Sequence, residues 1–357
     1  MMNVREYHAR NVPIRLCAAF LLLVFPWLSE MAMASAPKVV LEKTFRPGGS
    51  PTAIAWSPDG RLLATSDTIN LHIVIWDYET ATAVHSVNKH YFGGTSVSFT
   101  GDGRYVLTSA VSPHGADNPT SFSLIDVATG AVARDVDGPV KNPTHISLNI
   151  ANELLASASG KYVAVKRDMD SKDRLTIYNQ ENMEILNDNS TQGGIKAMAF
   201  SPRNDVLATI SYYGTVIIWD ASTGNIVNTI QAHSKTGLAL SFDADGRRLV
   251  TSGGIGETPD PEAIRVWDTS TWKMLINVAD FSNNNLRTQS VSFSPNGKFL
   301  ATLNYDGKVR LWDANTLSFL SVIDDSDSGG VAVLFSPDSR HLAIARDHKV
   351  NVMRIAD

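Results

Sequence analysis

Cysteine is almost absent from this sequence: 357 residues contain one, Cys17. It lies at the start of an N-terminal apolar run, and no thiol follows it. This scarcity excludes disulfides, thiolate metal sites, cysteine nucleophiles and covalently attached haem from residues 18–357. It also suits an oxidising compartment.

Basic clusters and catalytic motifs are missing as well. The formal net charge is -5, and without a basic patch we expect no nucleic-acid partner. None of the nine histidines has a His-x-His or His-Glu-x-x-His spacing, and no Gly-x-Ser-x-Gly or phosphate-loop motif occurs. The aspartate-rich segments 168–173 and 324–327 lack the ligand spacing of an EF-hand loop. We therefore expect no catalytic residue, metal site or cofactor.

An apolar run at residues 16–28 is too short to cross a bilayer as a helix and contains Pro26. Three arginines precede this run and small residues follow it, an order typical of a secretory signal peptide. We expect residues 1–34 to be that signal, cleaved after Ala34, and residues 35–357 to be periplasmic or secreted. An uncleaved membrane anchor is the alternative.

A repeated unit fills the rest of the chain and is clearest at residues 293–313, FSPNGKFLATLNYDGKVRLWD. Its segment 294–297 predicts a tight turn, because proline fixes φ and Asn-Gly supplies positive φ. Alternation before this turn and the apolar run 299–302 after it predict two antiparallel strands. A second turn at 305–308 and two further strands complete a four-stranded sheet. Such a sheet must stack on its neighbours to bury both faces.

Six further copies align with this unit between residue 51 and the C-terminus. At intervals of 41 to 53 residues, the position of Trp312 in the third strand is occupied by Trp76, Ile125, Tyr178, Trp219, Trp267 and Met353. The third copy is degenerate and allows two registers. One uses 149–157 as the turn and second strand, and the other uses 157–165 as the turn and strand.

These repeats, with four Trp-Asp pairs, resemble the WD40-repeat β-propellers over residues 38–357. The resemblance implies an all-β, seven-bladed propeller of four-stranded antiparallel blades. The last repeat supplies three strands, so we expect the strand-like segment 38–45 to close the ring. TolB-type propellers share the Ser-Pro-Asp-Gly turns but lack the Trp-Asp pairs, which favours the WD40 resemblance.

The resemblance also implies structural roles for individual residues. In WD40 proteins a histidine before the first strand, a serine or threonine in the second, a turn aspartate and the tryptophan form a hydrogen-bonded cluster within a blade. The matching residues here are Trp76, His90, Trp219, His233, Ser252, Trp267, Thr302, Asp306 and Trp312. No blade has the complete set. We interpret His90 and His233 as structural, because a buried histidine needs a hydrogen-bond partner.

Connections between second and third strands are expected to be long in three repeats, at 111–121, 165–173 and 253–262. In a propeller all such connections leave on one face, because strand direction alternates identically in every blade. Long loops in compact repeats are often functional, so we expect a face that binds a partner or ligand. Its predicted residues are His114, Asp117, Asn118, Lys166, Arg167, Asp168, Glu257, Asp260 and Glu262. Tolerated surface insertions are the alternative.

For function, the resemblance implies a non-catalytic interaction scaffold of the cell envelope, exported and of bacterial type, that binds another protein as a monomer. A membrane contact is expected only through an uncleaved signal segment. The alternative is a propeller enzyme, similar to lactonases or quinone-dependent dehydrogenases, with its site at the central channel. One fold hosts many functions, and a cation held by carboxylates from several blades leaves no motif in a sequence.

Overall fold

Tight turns between short apolar runs give an all-β architecture. The computed structural model describes residues 36–67, 72–88, 96–109, 120–137, 154–169, 172–191, 193–253, 264–278, 288–326 and 329–356. In these residues every regular element is a strand, and Pro37–Asp357 forms one unit. The expected signal peptide and His90 lie outside the described residues.

The first strand, β1 (Lys38–Phe45), belongs to the last blade, and blades 1 to 7 are numbered from the strands that follow it. Blade 1 contains β2 (Pro51–Trp56), β3 (Leu62–Asp67), β4 (His72–Asp77) and β5 (Thr82–Asn88). Blade 2 contains β6 (Val97–Phe99), β7 (Tyr105–Ser109), β8 (Thr120–Asp126) and β9 (Val132–Asp137). Blade 3 contains β10 (Leu154–Ala156), β11 (Tyr162–Met169), β12 (Lys172–Asn179) and β13 (Ile185–Ser190).

The remaining four blades follow in the same order. Blade 4 contains β14 (Ala197–Phe200), β15 (Val206–Ile210), β16 (Thr215–Asp220) and β17 (Ile226–Gln231). Blade 5 contains β18 (Gly237–Phe242), β19 (Arg248–Gly253), β20 (Ile264–Asp268) and β21 (Met274–Val278). Blade 6 contains β22 (Thr288–Phe293), β23 (Phe299–Asn304), β24 (Val309–Asp313) and β25 (Phe319–Asp324). Blade 7 contains β26 (Gly330–Phe335), β27 (His341–Arg346) and β28 (Lys349–Ala356), with β1 as its fourth strand.

The blades form a closed ring around a central channel. First strands of successive blades contact one another in cyclic order, and β26 of blade 7 returns to β2 of blade 1. In the described residues the buried apolar side chains form seven clusters, one at each junction between neighbouring blades. This confirms the predicted seven-bladed propeller, whose single repeats bury their faces only by stacking.

The N-terminal strand closes the ring, as predicted. β1 pairs antiparallel with β28 from Lys38, opposite Ala356, to Phe45, opposite Val350. Antiparallel pairing here covers the edge of β28, which would otherwise expose a row of unpaired backbone groups.

β1 also bonds blade 7 to blade 1 through side chains. Phe45 is buried, and its ring centroid lies 5.6 Å from that of Trp76 and 6.3 Å from that of Tyr78. Lys43 Nζ donates a hydrogen bond of 2.8 Å to the Tyr78 carbonyl. The Tyr78 hydroxyl donates to Glu42 at 3.3 Å, and burial together with this carboxylate raises the pKa of Tyr78. The closing junction therefore combines aromatic packing with polar contacts.

Blade 3 follows the second of the two registers considered. Its turn runs from Ser157 to Gly160, whose N–H donates to the Ser157 carbonyl at 3.0 Å, and β11 follows from Tyr162. The register with a turn and second strand at 149–157 is wrong, because Leu154–Ala156 is the first strand. Gly160 has a φ of 68° and supplies the positive φ that the segment 149–152 has no glycine to provide.

A threonine of the second strand holds the third-strand tryptophan in all four blades that have one. The indole N–H donates to the threonine hydroxyl at 2.9 to 3.0 Å in the pairs Trp76–Thr65, Trp219–Thr209, Trp267–Thr251 and Trp312–Thr302. Blade 3 has Tyr178 and Val165 at these two positions. Blade 7 has Met353 and Ile344. Blade 2 has Ile125 at the tryptophan position and still keeps the threonine, Thr108. Each tryptophan therefore has its threonine, because a buried indole N–H needs an acceptor, whereas the threonine also occurs without a tryptophan.

The prediction that Ser252 joins the tryptophan cluster of blade 5 is wrong. Trp267 lies opposite Leu249 across the ladder, so the residue two positions on, Thr251, shares its face and Ser252 points to the other side. Ser252 instead donates a hydrogen bond of 2.8 Å to the carbonyl of Thr288 and so links blades 5 and 6.

His233 and Asp306, the other predicted cluster members, make different contacts. His233 is fully buried, and its Nε2 lies 3.0 Å from the Thr251 hydroxyl. Asp306 does not contact its blade's tryptophan but accepts two hydrogen bonds from Arg310, at 3.0 and 2.6 Å. Burial opposes ionisation of Asp306, yet the bonds from Arg310 outweigh it and lower the pKa.

The aspartate after the tryptophan position caps the turn into the fourth strand. In five blades its Oδ1 accepts a hydrogen bond from the backbone N–H three residues on, and the five are Asp77, Asp126, Asp220, Asp268 and Asp313. Turn N–H and hydroxyl donors lower the pKa of the first four. For Asp313 burial acts in the opposite direction, and the turn donors outweigh it. Blade 7 has Arg354 at this position because β1 supplies its fourth strand and no turn follows.

The fifth residue of the same turn adopts positive φ, between 52° and 69°, in all six blades that have the turn. Two of these residues are glycines. A Cβ on Gly224 would lie 2.2 Å from the Asn187 side chain of the preceding blade. Leu317 occupies the equivalent position in blade 6 and is buried in a junction cluster. The neighbouring blade therefore decides whether a glycine or an apolar side chain occupies this strained position.

The capping aspartates predict acid sensitivity. Because their folded pKa values are lowered, their ionised forms stabilise the fold above the ordinary value of 3.8, and this contribution is lost as the pH falls towards the folded value, about 2 for Asp268. We expect a level melting temperature from neutral pH to about 4.5 and a steep fall below about 4, measured by circular dichroism. Asp268→Asn keeps an acceptor but cannot ionise, so it should be less stable at neutral pH and lose less on acidification. An unchanged melting temperature down to about pH 2.5 would contradict this account.

The closing strand predicts a large effect from one buried side chain. Phe45→Ala should lower the free energy of unfolding by about 3 to 5 kcal/mol, because it empties the junction between blades 7 and 1. The matched control is Leu41→Ala in the same strand, at a side chain 56% exposed, which should change stability by less than about 0.5 kcal/mol.

Deleting residues 38–45 should lower the stability of the fold more than an equal cut in a surface loop, and it should promote aggregation. A deletion variant that melts with the intact protein would show that the ring closes in another way.

Candidate functional site

One face of the ring carries both the strand connections and the mouth of the channel. Each first strand begins where the second strand of its blade ends: Pro51 lies opposite Asp67 in blade 1, and Gly237 lies opposite Gly253 in blade 5. The first strands line the channel, so their starts form its mouth on this side. We call this side, where second strands end and third strands begin, the loop face.

Most of the predicted binding residues lie outside the residues that the structure describes. Six of the nine lie outside the described residues, in segments 110–119 and 254–263: His114, Asp117, Asn118, Glu257, Asp260 and Glu262. Their shared face remains a prediction from the topology. The other three, Lys166, Arg167 and Asp168, belong to β11.

The predicted long loop at 165–173 is wrong. β11 continues to Met169 and β12 begins at Lys172, and the ladder pairs Arg167 with Arg174 and Asp168 with Asp173. The polarity of residues 166–168 had suggested a loop, but these residues continue the hairpin that β11 and β12 form. Lys166 is consequently only 3% exposed instead of lying on a surface loop.

The channel mouth is a cavity of about 360 Å³ to which all seven blades contribute. Main-chain and apolar side-chain atoms of the first strands form much of its wall. Its polar side chains converge from several blades and are Thr52, Ser96, Lys166, Lys196, Tyr212, Gln289 and Ser290. Among the described lining residues there is no aspartate or glutamate. The cavity therefore combines an apolar wall with polar side chains, and the charged side chains among its described lining residues are the two lysines.

Two lysines from neighbouring blades share one aromatic ring at this mouth. The Nζ atom of Lys166 in blade 3 lies 6.0 Å from the ring centroid of Tyr212 in blade 4, and that of Lys196 lies 5.7 Å away. Both distances allow cation–π attraction. Tyr212 is positioned by its backbone N–H, which donates to the Gly193 carbonyl at 3.2 Å. The ring thereby holds two positive charges on one side of the cavity.

Exposed tyrosines stand beside the mouth in the short hairpin turns of the loop face. Tyr213 in blade 4 is 71% exposed and Tyr305 in blade 6 is 49% exposed. A Cβ on Gly193 would lie 2.6 Å from the Tyr213 ring, so glycine allows the close approach of this turn. Tyrosine combines a large apolar surface with a polar tip and is common at protein interfaces.

Sequence reasoning missed Lys196 and Tyr212. Lys196 directly precedes the first strand of blade 4, and Tyr212 lies in a turn that was treated only as a short connection. One signal was available, since blades 4 and 6 both place a tyrosine two residues before the glycine of this turn, Tyr212 before Gly214 and Tyr305 before Gly307. The meeting of Lys166 with Tyr212 depends on the register of blade 3, which the sequence left open.

Metal-ligand groups and membrane-spanning helices also bear on function. Among the residues that the structure describes, no group of three or more His, Cys, Asp or Glu side chains is arranged to hold a metal ion. The same residues include no helix long and apolar enough to cross a membrane.

Comparison with family models identifies the repeats. The WD40 model (WD domain, G-beta repeat) matches residues 183–220 and 280–313, which lie in blades 3 to 4 and 5 to 6. The model described as eukaryotic translation initiation factor eIF2A matches residues 41–122.

Two relatives are identical to this chain at 28 to 29% of the aligned positions. Pre-mRNA-processing factor 19 homolog 2 of Arabidopsis thaliana is 29% identical over 225 residues, 62% of this chain and 39% of the relative. Actin-interacting protein 1 of Drosophila melanogaster is 28% identical over 239 residues, 64% of this chain and 37% of the relative. The match thus spans less than two fifths of the length of either relative.

A solved structure agrees in fold. The crystal structure of the Cps50 (Swd1) β-propeller domain of Myceliophteria thermophila superposes with a TM-score of 0.70, 18% identity, and coverage of 89% of this chain and 100% of that domain. This neighbour shows the same fold, a β-propeller, and two segments of this chain match the WD40 repeat model, in line with the resemblance seen in the sequence.

Proposed function

We propose that this protein is a non-catalytic scaffold, monomeric in itself, that binds another protein through its loop face. The observation that carries the proposal is the meeting of the channel mouth with exposed tyrosines on one side of the ring. A concave polar centre beside Tyr213 and Tyr305 provides both anchoring pockets and contact area. The long connections predicted at 111–121 and 253–262 are expected to leave on the same face.

The relatives support this class of function. The name of Actin-interacting protein 1 describes binding to a protein, and that of Pre-mRNA-processing factor 19 homolog 2 describes a factor in pre-mRNA processing. Propellers of this kind present large surfaces formed by repeated loops, which suits assembly better than chemistry on a small substrate. The partner of this chain is proposed from its surface alone.

Capture of a partner by loop-face variants tests this function. Residues 35–357 are immobilised and incubated with envelope extract of the native host. We expect a protein that the intact ring retains and that is lost from two variants: Tyr213→Ser with Tyr305→Ser, and a ring in which 111–121 and 253–262 are replaced by the four-residue turn of blade 6. Exposed aromatic anchors account for much of the binding energy of an interface, so their loss should weaken capture at least about tenfold.

The control changes equally exposed residues away from this face. Val227→Ser with Leu275→Ser alters outer-strand side chains that are 56% and 53% exposed, and should leave capture unchanged. Equal capture by the intact ring and both loop-face variants, all with native melting curves, would refute the loop face as the binding surface.

We also propose that the protein acts in the cell envelope of a bacterium after removal of residues 1–34. The arginines, apolar run and small residues at the N-terminus support this proposal. N-terminal sequencing of protein isolated from the native host should begin near Ser35 or Pro37. Soluble cytoplasmic protein that retains Met1 would refute it.

A further inference from the structure

A second cavity, of about 560 Å³, lies between blades 2 and 3 on the face opposite the loop face. Blade 2 contributes the turn before β7 together with parts of β8 and β9, and blade 3 contributes the turn before β13. The volume is within the range of small-molecule pockets in proteins. This cavity is separate from the channel mouth, because none of its lining residues belongs to a first strand.

The junction between blades 7 and 1 shows what fills the equivalent space there. Lys43 lies in the outer strand opposite Val352 and extends to the turn of the next blade. Its Nζ donates to the carbonyls of Tyr78 and Glu79 at 2.8 and 2.6 Å and lies 3.9 Å from the Glu79 carboxylate. At this junction two turn carbonyls and a carboxylate therefore bind an ammonium group.

The junction between blades 2 and 3 has the same positions without the same bonds. In blade 2 the position of Lys43 is occupied by Arg134, and in blade 3 the two turn positions are occupied by Gln180 and Glu181. Within the described part of the chain, the side chains of Arg134 and Glu181 make no hydrogen bond or ion pair. Oε1 of Gln180 is buried and has no hydrogen-bond partner among the same residues. All three residues line the cavity.

The cavity carries charges of both signs. The Asp102 carboxylate accepts hydrogen bonds from the Thr100 hydroxyl at 2.5 Å and from the Arg104 N–H at 3.0 Å. Burial opposes ionisation of Asp102, but these donors outweigh it and lower its pKa, so Arg104 has a counter-charge beside it. This leaves one cation on blade 2, Arg134, and one anion on blade 3, Glu181. A ligand that carries both a carboxylate and an ammonium group complements the two sides of the junction.

The remaining lining favours a ligand with an apolar body. Leu124 and Met183 belong to the buried cluster between blades 2 and 3 and are 5% and 7% exposed. Tyr105 adds a half-buried ring, and the Arg104 guanidinium lies 5.0 Å from its centroid. Methionine is unbranched and flexible, so it adapts to side chains of different shape.

We propose that this cavity binds a free α-amino acid with an apolar side chain. The Arg134 guanidinium binds the α-carboxylate as a bidentate donor. Glu181 and Oε1 of Gln180 accept hydrogen bonds from the α-ammonium group, in the place that the Lys43 ammonium group takes at the closing junction. The inference goes beyond the proposed function, because the cavity lies on the other face of the ring and its occupant is a small molecule. A protein segment with neighbouring lysine and glutamate side chains carries the same charges, and the experiment separates the two sources.

Isothermal titration calorimetry of residues 35–357 tests the site directly. The probes are leucine, N-acetyl-leucine without the cation, leucinamide without the anion, glycine without the side chain, and a capped Lys-Glu dipeptide. We expect leucine to bind and each of the other four to bind at least about tenfold more weakly, because each leaves one part of the site without its partner. Added salt should weaken the binding of leucine.

Variants assign each charge of the ligand to a side chain. Arg134→Gln should weaken leucine binding at least about tenfold and leave the weaker binding of leucinamide unchanged. Glu181→Gln should weaken leucine binding to a similar extent and leave that of N-acetyl-leucine unchanged. Both side chains are exposed, so both variants should keep the native melting curve. The matched control is Arg247→Gln, at an exposed arginine that occupies the position of Arg104 in blade 5, and it should change affinity less than about twofold.

Leucine binding that requires both charges of the ligand, together with Arg134 and Glu181, supports the site. Full binding by both variants would overturn the proposal, and so would tighter binding of the capped dipeptide, which would assign the cavity to a protein segment. Failure of leucine to bind would also overturn it. A lower melting temperature of Arg134→Gln would then show that Arg134 itself closes the junction, as Lys43 does between blades 7 and 1. Capture of a partner by the loop face is a separate measurement, so either result stands without the other.

Discussion

The structure depends on packing each blade against its neighbour, because no four-stranded sheet here can bury both faces alone. The side chain at the tryptophan position fills the junction with the preceding blade all around the ring. Where it is tryptophan, a threonine of the same blade accepts its N–H, so that a large apolar ring and its polar atom are both satisfied. The adjacent aspartate instead caps a turn at the surface. The Trp-Asp pair thus combines a junction residue with a turn cap.

Much of the fold was predictable because these local rules repeat. Turn chemistry, strand alternation and the unpaired segment 38–45 were sufficient to predict seven blades and their closure. The prediction of the tryptophan's hydrogen-bond partner failed where two neighbouring residues could each have accepted the bond. Thr251 and Ser252 are each small hydroxyl side chains, and only the pairing of Leu249 with Trp267 determines which of them shares the tryptophan's face. Blade 3 was ambiguous because it has neither the tryptophan nor its threonine.

The candidate site was predicted less well than the fold. The shared face of the long second-to-third strand connections stays a prediction, and Lys166, which was expected on one of them, lies in β11 and lines the channel mouth. Its actual position in a buried strand and its neighbour Lys196 depend on contacts between blades 3 and 4. Such contacts join residues that are distant in sequence and leave no local pattern. A polar run such as 166–168 reads as a loop, although here it continues an extended hairpin.

The strand that closes the ring has a consequence for the order of folding. β1 is the first strand of the ring to be synthesised, but its partner β28 is the last, so their pairing has the longest sequence separation among the described strands. Contacts of this kind form late, because the intervening chain must be ordered first. A nascent chain therefore carries β1 and the apolar side chain of Phe45 without its partner until β28 has been synthesised. During that interval the unfinished ring is most exposed to aggregation and to chaperones.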